Sequence, residues 1–366
     1  MVFKRDLKGY FYRLQKETST LPWINSAVQE EIETAIKWGA QAGCTTNPTH
    51  TPKAIKTDRK IWQPVIEKIL RDDSTISDDE VVDLILQRMV KRTSELFLPI
   101  YEESKGKYGY VAIQSNPNTN DDLLTLIRKG ICYSKIGINV VPKIPSTEVG
   151  AKAIEQLTAM GINTIATMGF SVAQAVAMAK AYECGLTYLQ KSCQKPRCFV
   201  VIIPGVFDDY LNELVEKIGI NITPGIIRYA GNAWCRRVYK IFEEQGYHAD
   251  LLVGGTRQVY HFTDFVGGKI HITHSFNTWQ QLIKENPPVV SKISQETPSD
   301  IISELEDKFV DFRRAYKVDG LLPHEFRSFG PCVKFNTSCV NGYSETKEEV
   351  QAARNKMHYN IKCSRE

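Results

Sequence analysis

Residues 198–203 read Cys-Phe-Val-Val-Ile-Ile, six apolar side chains in a row with no polar position between them. A strand that alternated between core and solvent would place a polar residue at every second position. The unbroken run therefore predicts a strand buried on both faces, which is typical of parallel sheets covered by helices. Seven further short runs, rich in β-branched residues, have a similar character. The eight predicted strands span residues 21–24, 42–46, 108–114, 138–144, 164–168, 199–203, 250–254 and 269–273.

Longer segments with apolar residues at helical spacing separate these strands. The regular alternation of strands and helices indicates parallel βα units. Eight such units predict closure into a (β/α)8 TIM barrel, although the pattern alone is also compatible with an open, doubly wound sheet. The predicted helices span residues 28–38, 81–96, 122–127, 148–160, 171–182, 210–218, 231–244 and 278–283.

The alternation ends at residues 285–288, which read Glu-Asn-Pro-Pro. We therefore divide the chain into a barrel domain, residues 1–287, and a C-terminal helical extension packed on the barrel, residues 288–366. The extension has too few apolar residues for a separate core. It is predicted to contain one helix over 299–316, a Gly- and Pro-containing segment over 319–331 and a polar helix over 345–357.

Composition and charge exclude several classes of function. The 366 residues are 42% hydrophobic and 24% charged, with a formal net charge of +4. The basic residues are dispersed, so a nucleic-acid partner is not expected. No apolar run is long enough for a membrane helix, and the charged opening segment, residues 1–6, does not resemble a secretory signal, so we expect a cytoplasmic protein.

The nine cysteines do not form a recognisable metal site. None lies in a Cys-x-x-Cys pair, and neither Cys193 with Cys198 nor Cys332 with Cys339 has a second ligand pair at a suitable spacing. We therefore expect no metal ion and no cofactor.

One lysine interrupts the apolar segment at residues 139–147, which reads Asn-Val-Val-Pro-Lys-Ile-Pro-Ser-Thr. It lies near the end of the fourth predicted strand, and the active site of a TIM barrel lies at the C-terminal ends of its strands. Burial there would lower the pKa of Lys143, and a free amine attacks carbonyl carbons to form a Schiff base. The alternative is a strand-end lysine whose charged head reaches solvent.

Six segments of the sequence stand out beside Lys143. They are GCTTNPTH (43–50), VPKIPST (141–147), INTIATMGFSVAQA (162–175), YKIFEEQGYHADLLVGGTRQ (239–258), GGKIHIT (267–273) and LEDKFVDFRRAYKVDGL (305–321). These segments resemble the transaldolase family, whose members are barrel enzymes with a Schiff-base lysine. The resemblance extends from about Trp23 to about Pro331 in the correct order, which is far more specific than any single motif. It favours the catalytic interpretation of Lys143.

The resemblance implies catalytic roles for four residues at strand ends. Lys143 would form the imine, and Thr167 would position the water or hydroxyl that transfers protons beside it. Threonine is also a good strand former, which is the alternative explanation for Thr167. Gln114 would help to order the water, and Asn25 would hold a substrate hydroxyl.

Four further residues would bind the substrate. Asn47, with Thr45 in the same turn, would bind sugar hydroxyls, although Asn47 also suits a side-chain cap that braces the turn. Arg257 follows the seventh strand, where barrels often bind phosphate, and its guanidinium suits a phosphate group. Thr256 would donate a second hydrogen bond. The alternative for Arg257 is an ordinary surface arginine.

Four positions depart from the family's pattern. Asn25 and Gln114 replace an aspartate and a glutamate, and an amide cannot take a proton near neutral pH. Ile165 replaces an asparagine on the fifth strand. Asp208 lies where the family has an arginine, which weakens the expectation of phosphate binding. Glutamine on strand three with an aliphatic residue on strand five resembles the family's fructose-6-phosphate aldolase branch, so the sequence indicates a divergent member.

Three functions remain open from the sequence. The first is a class I transaldolase or aldolase of carbohydrate metabolism, as in the pentose phosphate pathway, acting on a ketose or sugar phosphate. The second keeps the imine on Lys143 but performs other carbonyl chemistry on a specialised metabolite. The third is a catalytically degenerate barrel that binds a sugar without converting it. The expected partner is a small sugar or sugar phosphate, and the sequence is also compatible with a homo-oligomer.

Overall fold

The computed structural model describes residues 9–192 and 194–363, so residues 1–6 and Cys193, on which two expectations rest, lie outside the described residues. Eight parallel strands form a closed barrel in chain order, with the eighth paired to the first. This arrangement confirms the predicted TIM barrel and excludes the open sheet. The strands are β1 Leu21–Asn25, β2 Gly43–Thr45, β3 Tyr110–Gln114, β4 Val140–Pro145, β5 Thr164–Gly169, β6 Cys198–Ile202, β7 Asp250–Val253 and β8 His271–Ser275.

Helices surround the barrel, and the connection from β2 to β3 holds more of them than the sequence predicted. The helices of the described residues are α1 Tyr10–Glu17, α2 Gln29–Trp38, α3 His50–Thr57, α4 Arg59–Asp72, α5 Asp78–Glu103, α6 Leu123–Ser134, α7 Glu148–Ala159, α8 Val172–Tyr188, α9 Pro204–Ile218, α10 Ala230–Gln245, α11 Tyr260–Thr263, α12 Phe276–Glu285, α13 Ser299–Lys308, α14 Val310–Tyr316 and α15 Gly330–Cys363. Of the three helices between β2 and β3, only α5 was predicted. It begins at a capping box, in which Ser77 and Glu80 bind each other's backbone N–H groups.

Large side chains fill the N-terminal part of the barrel interior. Trp23 on β1 donates from its indole nitrogen to Nδ1 of His271 on β8 at 2.8 Å, and the ring of Phe199 on β6 packs edge-on against both. Gly43 leaves the space that Trp23 needs, because a Cβ at this position would lie 2.7 Å from the indole ring and 2.2 Å from the carbonyl oxygen of Tyr110. The remaining space for a ligand therefore lies towards the C-terminal ends of the strands.

Two helices predicted for the C-terminal extension are present but differ in extent from the prediction. The single helix over 299–316 is two helices, because Phe309 leaves helical geometry, with φ −124° and ψ 105°, and is buried. The polar helix over 345–357 is part of α15, which begins at Gly330. Pro331 indicated a loop, but the first turn of a helix accepts proline because the N–H that proline lacks has no partner there.

The residues beyond 287 share apolar clusters with the barrel. Phe309 and Phe312 belong to the same buried cluster as Trp23. Tyr343 and Val350 of α15 belong to a second cluster with side chains of α4 and α5. Helix α15 also contacts α9 and β5. It therefore packs on the barrel along much of its length.

The described residues contain neither a helix suited to cross a membrane nor a cluster suited to hold a metal ion. None of their helices is both long enough and apolar enough to cross a membrane. Within residues 9–192 and 194–363, no group of three His, Cys, Asp or Glu side chains is placed to hold a metal ion. Cys198, Cys332 and Cys339 are free thiols.

Candidate active site

Lys143 lies on β4 and lines a cavity at the mouth of the barrel. Its Nζ donates a hydrogen bond to the carbonyl oxygen of Thr46 at 2.7 Å. The side chain keeps some access to the cavity, but protein surrounds it. This burial lowers the pKa of Lys143 to about 8, while the nearby thiols of Cys339 and Cys44 act in the opposite direction. At pH 7, roughly a tenth of Lys143 is then the amine that attacks carbonyl carbons.

The cavity has a volume of about 340 Å³ and lies at the C-terminal ends of the strands. This size is within the range of small-molecule sites. Seven of the eight residues proposed from the sequence line it, although they come from five strands and the turns that follow them. They are Asn25, Thr45, Asn47, Lys143, Thr167, Thr256 and Arg257.

Gln114 is the predicted site residue that does not line this cavity. It is the last residue of β3 and is paired in register with Lys143 on β4. Its side chain is 5% exposed, and its Nε2 lies 3.9 Å from the sulfur of Cys339 on α15. Its Oε1 is buried without a partner in the described part of the chain. The amide therefore lies beside the lysine but is not among the residues that line the cavity.

Thr45 connects the ends of three neighbouring strands. Its hydroxyl donates to Oδ1 of Asn25 at 3.2 Å and lies 2.6 Å from the hydroxyl of Thr273 on β8. Because a hydroxyl has only one proton to donate, Thr273 must donate to Thr45. This chain fixes the oxygen of Asn25 as an acceptor, so the Nδ2 of Asn25 is the end that can donate to a ligand.

Asn47 has the turn-bracing role that was its alternative explanation. Its Oδ1 accepts from the backbone N–H of Thr49 at 2.9 Å and from the Thr49 hydroxyl at 2.6 Å. This Asx-type turn orients the side chain. It uses the oxygen of Asn47 and leaves its Nδ2 to donate into the cavity.

Thr167 lies on an irregular part of β5. The pairing of β5 with β6 changes register between Ala166 and Gly169, and Met168 has a φ of +65°, in the left-handed region. A bulge of this kind re-aims a side chain at a strand end. Ile165 lies two residues earlier on the same face, is fully buried and pairs in register with Lys143. An aliphatic residue thus lies beneath Thr167 in the interior.

Arg257 follows β7 and forms an ion pair at the rim of the cavity. Its Nε donates to Oδ2 of Asp209 at 2.7 Å, and both side chains are more than 40% exposed. Its Nη1 makes only long contacts with two backbone oxygens, at 3.3 and 3.4 Å. Most of the guanidinium is therefore free to bind an anion.

Asp208 is buried and does not face the cavity, although it lies where the family has an arginine. Its carboxylate accepts from the backbone N–H of Gly231 at 2.7 Å and from Nε2 of His261 at 2.9 Å. Nδ1 of His261 accepts the backbone N–H groups of Arg257 and Gln258. Burial raises the pKa of Asp208. Asp208 thus holds the loop that carries Arg257, and it does not place a charge inside the site.

Sequence reasoning missed several residues that line the cavity, among them three from α15 and one from α3. Lys334, Phe335 and Ser338 lie on the first turns of α15, part of which was taken for a loop. His50 begins α3, directly after the Thr-Thr-Asn-Pro motif. Burial and the positive charge of Lys143 lower the pKa of His50 to about 4, so the imidazole is neutral near pH 7. His50 is the last residue of the GCTTNPTH segment, but no repeating pattern in the sequence indicated that it would line the site.

Comparison with known proteins gives a consistent result. A family model described as Transaldolase/Fructose-6-phosphate aldolase matches residues 22–321. A protein named Transaldolase from Trichodesmium erythraeum (strain IMS101) is 31% identical over 197 residues, which cover 51% of this chain and 51% of that protein. A Probable transaldolase from Clostridium tetani (strain Massachusetts / E88) is 26% identical over 264 residues, covering 72% of this chain and 89% of that protein.

A Transaldolase 2 from Nostoc sp. (strain PCC 7120 / SAG 25.82 / UTEX 2576) is 31% identical over 178 residues, with 47% of this chain and 46% of that protein covered. The chain thus spans about half the length of two of these three relatives. The family match includes all of the segments on which the sequence resemblance rests.

Proposed function

Since the chain belongs to the transaldolase/fructose-6-phosphate aldolase family, we propose that it is a class I enzyme that binds a ketose or sugar phosphate as an imine of Lys143. The observation that carries the proposal is a lysine of lowered pKa that lines a cavity at the strand ends of the barrel. Burial that lowers the pKa of a lysine raises the fraction of its amine form, which is the nucleophile that imine chemistry needs.

The reaction begins when the lone pair of the Lys143 amine attacks the substrate's carbonyl carbon. The water that Thr167 would position protonates the carbinolamine hydroxyl, which leaves as water and gives an iminium ion. Cleavage of the bond between the α and β carbons then sends its electron pair to the iminium and leaves an enamine on Lys143. The β-hydroxyl returns a proton to the positioned water, and the fragment that carries the β-oxygen leaves as an aldehyde. Addition to an aldehyde follows the same steps in reverse.

The cavity offers hydrogen bonds along such a substrate. The Nδ2 groups of Asn25 and Asn47 would donate to sugar hydroxyls, since the oxygen of each amide accepts from a neighbouring threonine hydroxyl. The Thr167 hydroxyl faces the same cavity and would position the water that carries protons beside the imine.

The position of Arg257 suits the far end of a phosphorylated substrate. Strands β4 and β7 are three positions apart in the closed order of eight strands, so Lys143 and Arg257 lie on nearly opposite sides of the mouth. We propose that a sugar phosphate spans the cavity, with its carbonyl carbon at Lys143 and its phosphate at Arg257 and Thr256. A guanidinium binds phosphate through charge-assisted hydrogen bonds.

The enamine on Lys143 has two fates. Protonation of its carbon and hydrolysis of the imine release the ketone fragment, which is the aldolase outcome. Survival until an aldose arrives gives transfer, which is the transaldolase outcome. Gln114 lies beside Lys143, at the position where the family's transaldolases have a glutamate and its fructose-6-phosphate aldolase branch has a glutamine. We propose that direct cleavage or addition exceeds transfer in this protein.

Product partitioning tests this proposal. Wild type is expected to release the ketone fragment from fructose 6-phosphate without an added aldose. Gln114→Glu is expected to shift the ratio of transfer to release upwards by about tenfold, because it restores the glutamate that the family's transaldolases have at this position. Gln114→Met, which cannot relay protons, should stay close to wild type. Turnover by wild type only in the presence of an aldose acceptor would contradict the aldolase assignment.

A further inference from the structure

Helix α15 crosses the mouth of the barrel, and two glycines allow its close approach at both sides. A Cβ on Gly330 would lie 2.1 Å from the hydroxyl of Tyr210 on α9, and one on Gly342 would lie 2.6 Å from Cα of Thr49 after β2. Helix α9 follows β6, and β2 and β6 lie opposite each other in the closed barrel. The helix between these glycines is about 18 Å long. Its first turns therefore bridge the mouth from the α9 side to the β2 side.

Lys334 lies on the bridging part of α15 and lines the catalytic cavity together with Phe335 and Ser338. Its ammonium group forms an ion pair with Glu213 on α9, and its side chain is 25% exposed. It is thus a partly enclosed cation at the rim of the cavity that contains Lys143.

Arg257 and Lys334 are held side by side by the same helix. Arg257 pairs with Asp209 and Lys334 pairs with Glu213, and both carboxylates belong to α9. Residues four apart lie on the same face of a helix, with Cβ atoms about 5–6 Å apart. The two cations therefore lie next to each other at one edge of the cavity.

Both cations keep donors for a ligand. Arg257 uses its Nε for Asp209, and its Nη2 makes no hydrogen bond to the described residues. The ammonium of Lys334 has three N–H donors and gives one to Glu213. An anion can therefore bind to both side chains without breaking either ion pair.

We propose that Lys334 and Arg257 together form a two-cation clamp for the terminal phosphate of the substrate. The inference rests on the proposed function and extends it, because it assigns half of the anion site to a helix outside the barrel strands. A phosphate monoester suits the clamp, since it is dianionic and has three terminal oxygens to accept from both cations. It also gives α15 a binding role in addition to its packing role.

The test compares Lys334→Gln with Lys217→Gln. Lys217 is a matched control, because it pairs with the same Glu213 at 3.9 Å but is 70% exposed and does not line the cavity. The measurement is the sugar concentration that half-saturates borohydride trapping, for fructose 6-phosphate and for fructose. Lys334→Gln is expected to raise this concentration about 10- to 100-fold for the phosphate ester and to leave that for fructose unchanged. Lys217→Gln should resemble wild type with both sugars.

Failure to trap either sugar on Lys143 would overturn the proposed function. A second measurement, which does not depend on imine formation, tests the clamp in that case. Inorganic phosphate should raise the melting temperature of wild type and of Lys217→Gln by mass action, and Lys334→Gln should lose most of this rise. Glu213→Gln should bind phosphate more tightly than wild type, because it removes a competing carboxylate. Equal responses of Lys334→Gln and Lys217→Gln to phosphate, or an equal effect of Lys334→Gln on both sugars, would overturn the clamp.

Discussion

Replacing Lys143 with methionine is expected to lower kcat by at least roughly 10³-fold, because the variant has no amine to form the imine. The fold should survive the change. Methionine has a similar length and no charge, so it removes the cost of burying an ammonium group while still filling the space. The comparison requires the same far-ultraviolet circular dichroism and a melting temperature no lower than that of wild type.

Lys152→Met provides the matched control for this substitution. Lys152 lies on α7, directly after β4, and pairs with Glu148 at 3.2 Å on the surface, with a side chain 58% exposed. Its replacement should leave kcat unchanged. Substantial turnover by a folded Lys143→Met variant would show that the chemistry does not pass through this lysine.

Asp208→Ala is expected to reduce the free energy of unfolding by about 3 kcal/mol, the cost of leaving buried polar partners unpaired. Its carboxylate accepts three hydrogen bonds, from Gly231, Tyr260 and His261, and it is 4% exposed. Gly231 lies in the first turn of α10, where backbone N–H groups lack helical partners. The substitution thus uncaps one helix and releases the histidine that holds the Arg257 loop.

Urea unfolding of Asp208→Ala and Asp209→Ala distinguishes the structural roles of these two neighbouring residues. Asp209 pairs with Arg257 at the surface, so its loss should cost less than about 1 kcal/mol. Phosphate affinity should also fall in Asp208→Ala, because the backbone of Arg257 loses its anchor. Equal unfolding free energies for the two variants would contradict the structural role given to Asp208.

The barrel could be predicted from the sequence because its strands have an unmistakable pattern. An apolar run such as residues 198–203 is typical of a strand that has covering helices on one face and a packed interior on the other. Helices α3 and α4 were missed because each contains a proline, Pro52 or Pro64, and neither has a side-chain cap. Tertiary packing of residues such as Trp62 and Ile66 overrides these weak local signals.

The part of the candidate site that the barrel strands form was also predictable, whereas the part that α15 forms was not. Residues at strand ends share one edge of a parallel barrel, which is why Lys143 and Thr167 could be placed in one cavity. Lys334 lies far along the chain, in a polar helix whose sequence has little amphipathic character. Only the packing of α15 across the mouth brings it to the site.

The distinction between Asp208 and Asp209 shows a further limit of sequence reasoning. Adjacent residues on a helix point about 100° apart, so one carboxylate turns inward to His261 and the other outward to Arg257. The sequence alone gives no means of assigning these directions. It indicated a change of charge at the proposed phosphate site, and the structure gives a buried support for the loop instead.

The pH dependence of borohydride trapping, followed by mass analysis, tests the central claim most directly. Trypsin cannot cut after a reduced imine, so trapping on Lys143 should produce an uncut peptide of residues 136–152 with the added mass of the reduced ketose. The initial rate should rise about tenfold per pH unit below pH 8 and level off above it, because only the amine reacts and the pKa of Lys143 is about 8. Label on another lysine, or a rate that keeps rising towards pH 10 as for an ordinary lysine, would contradict the account.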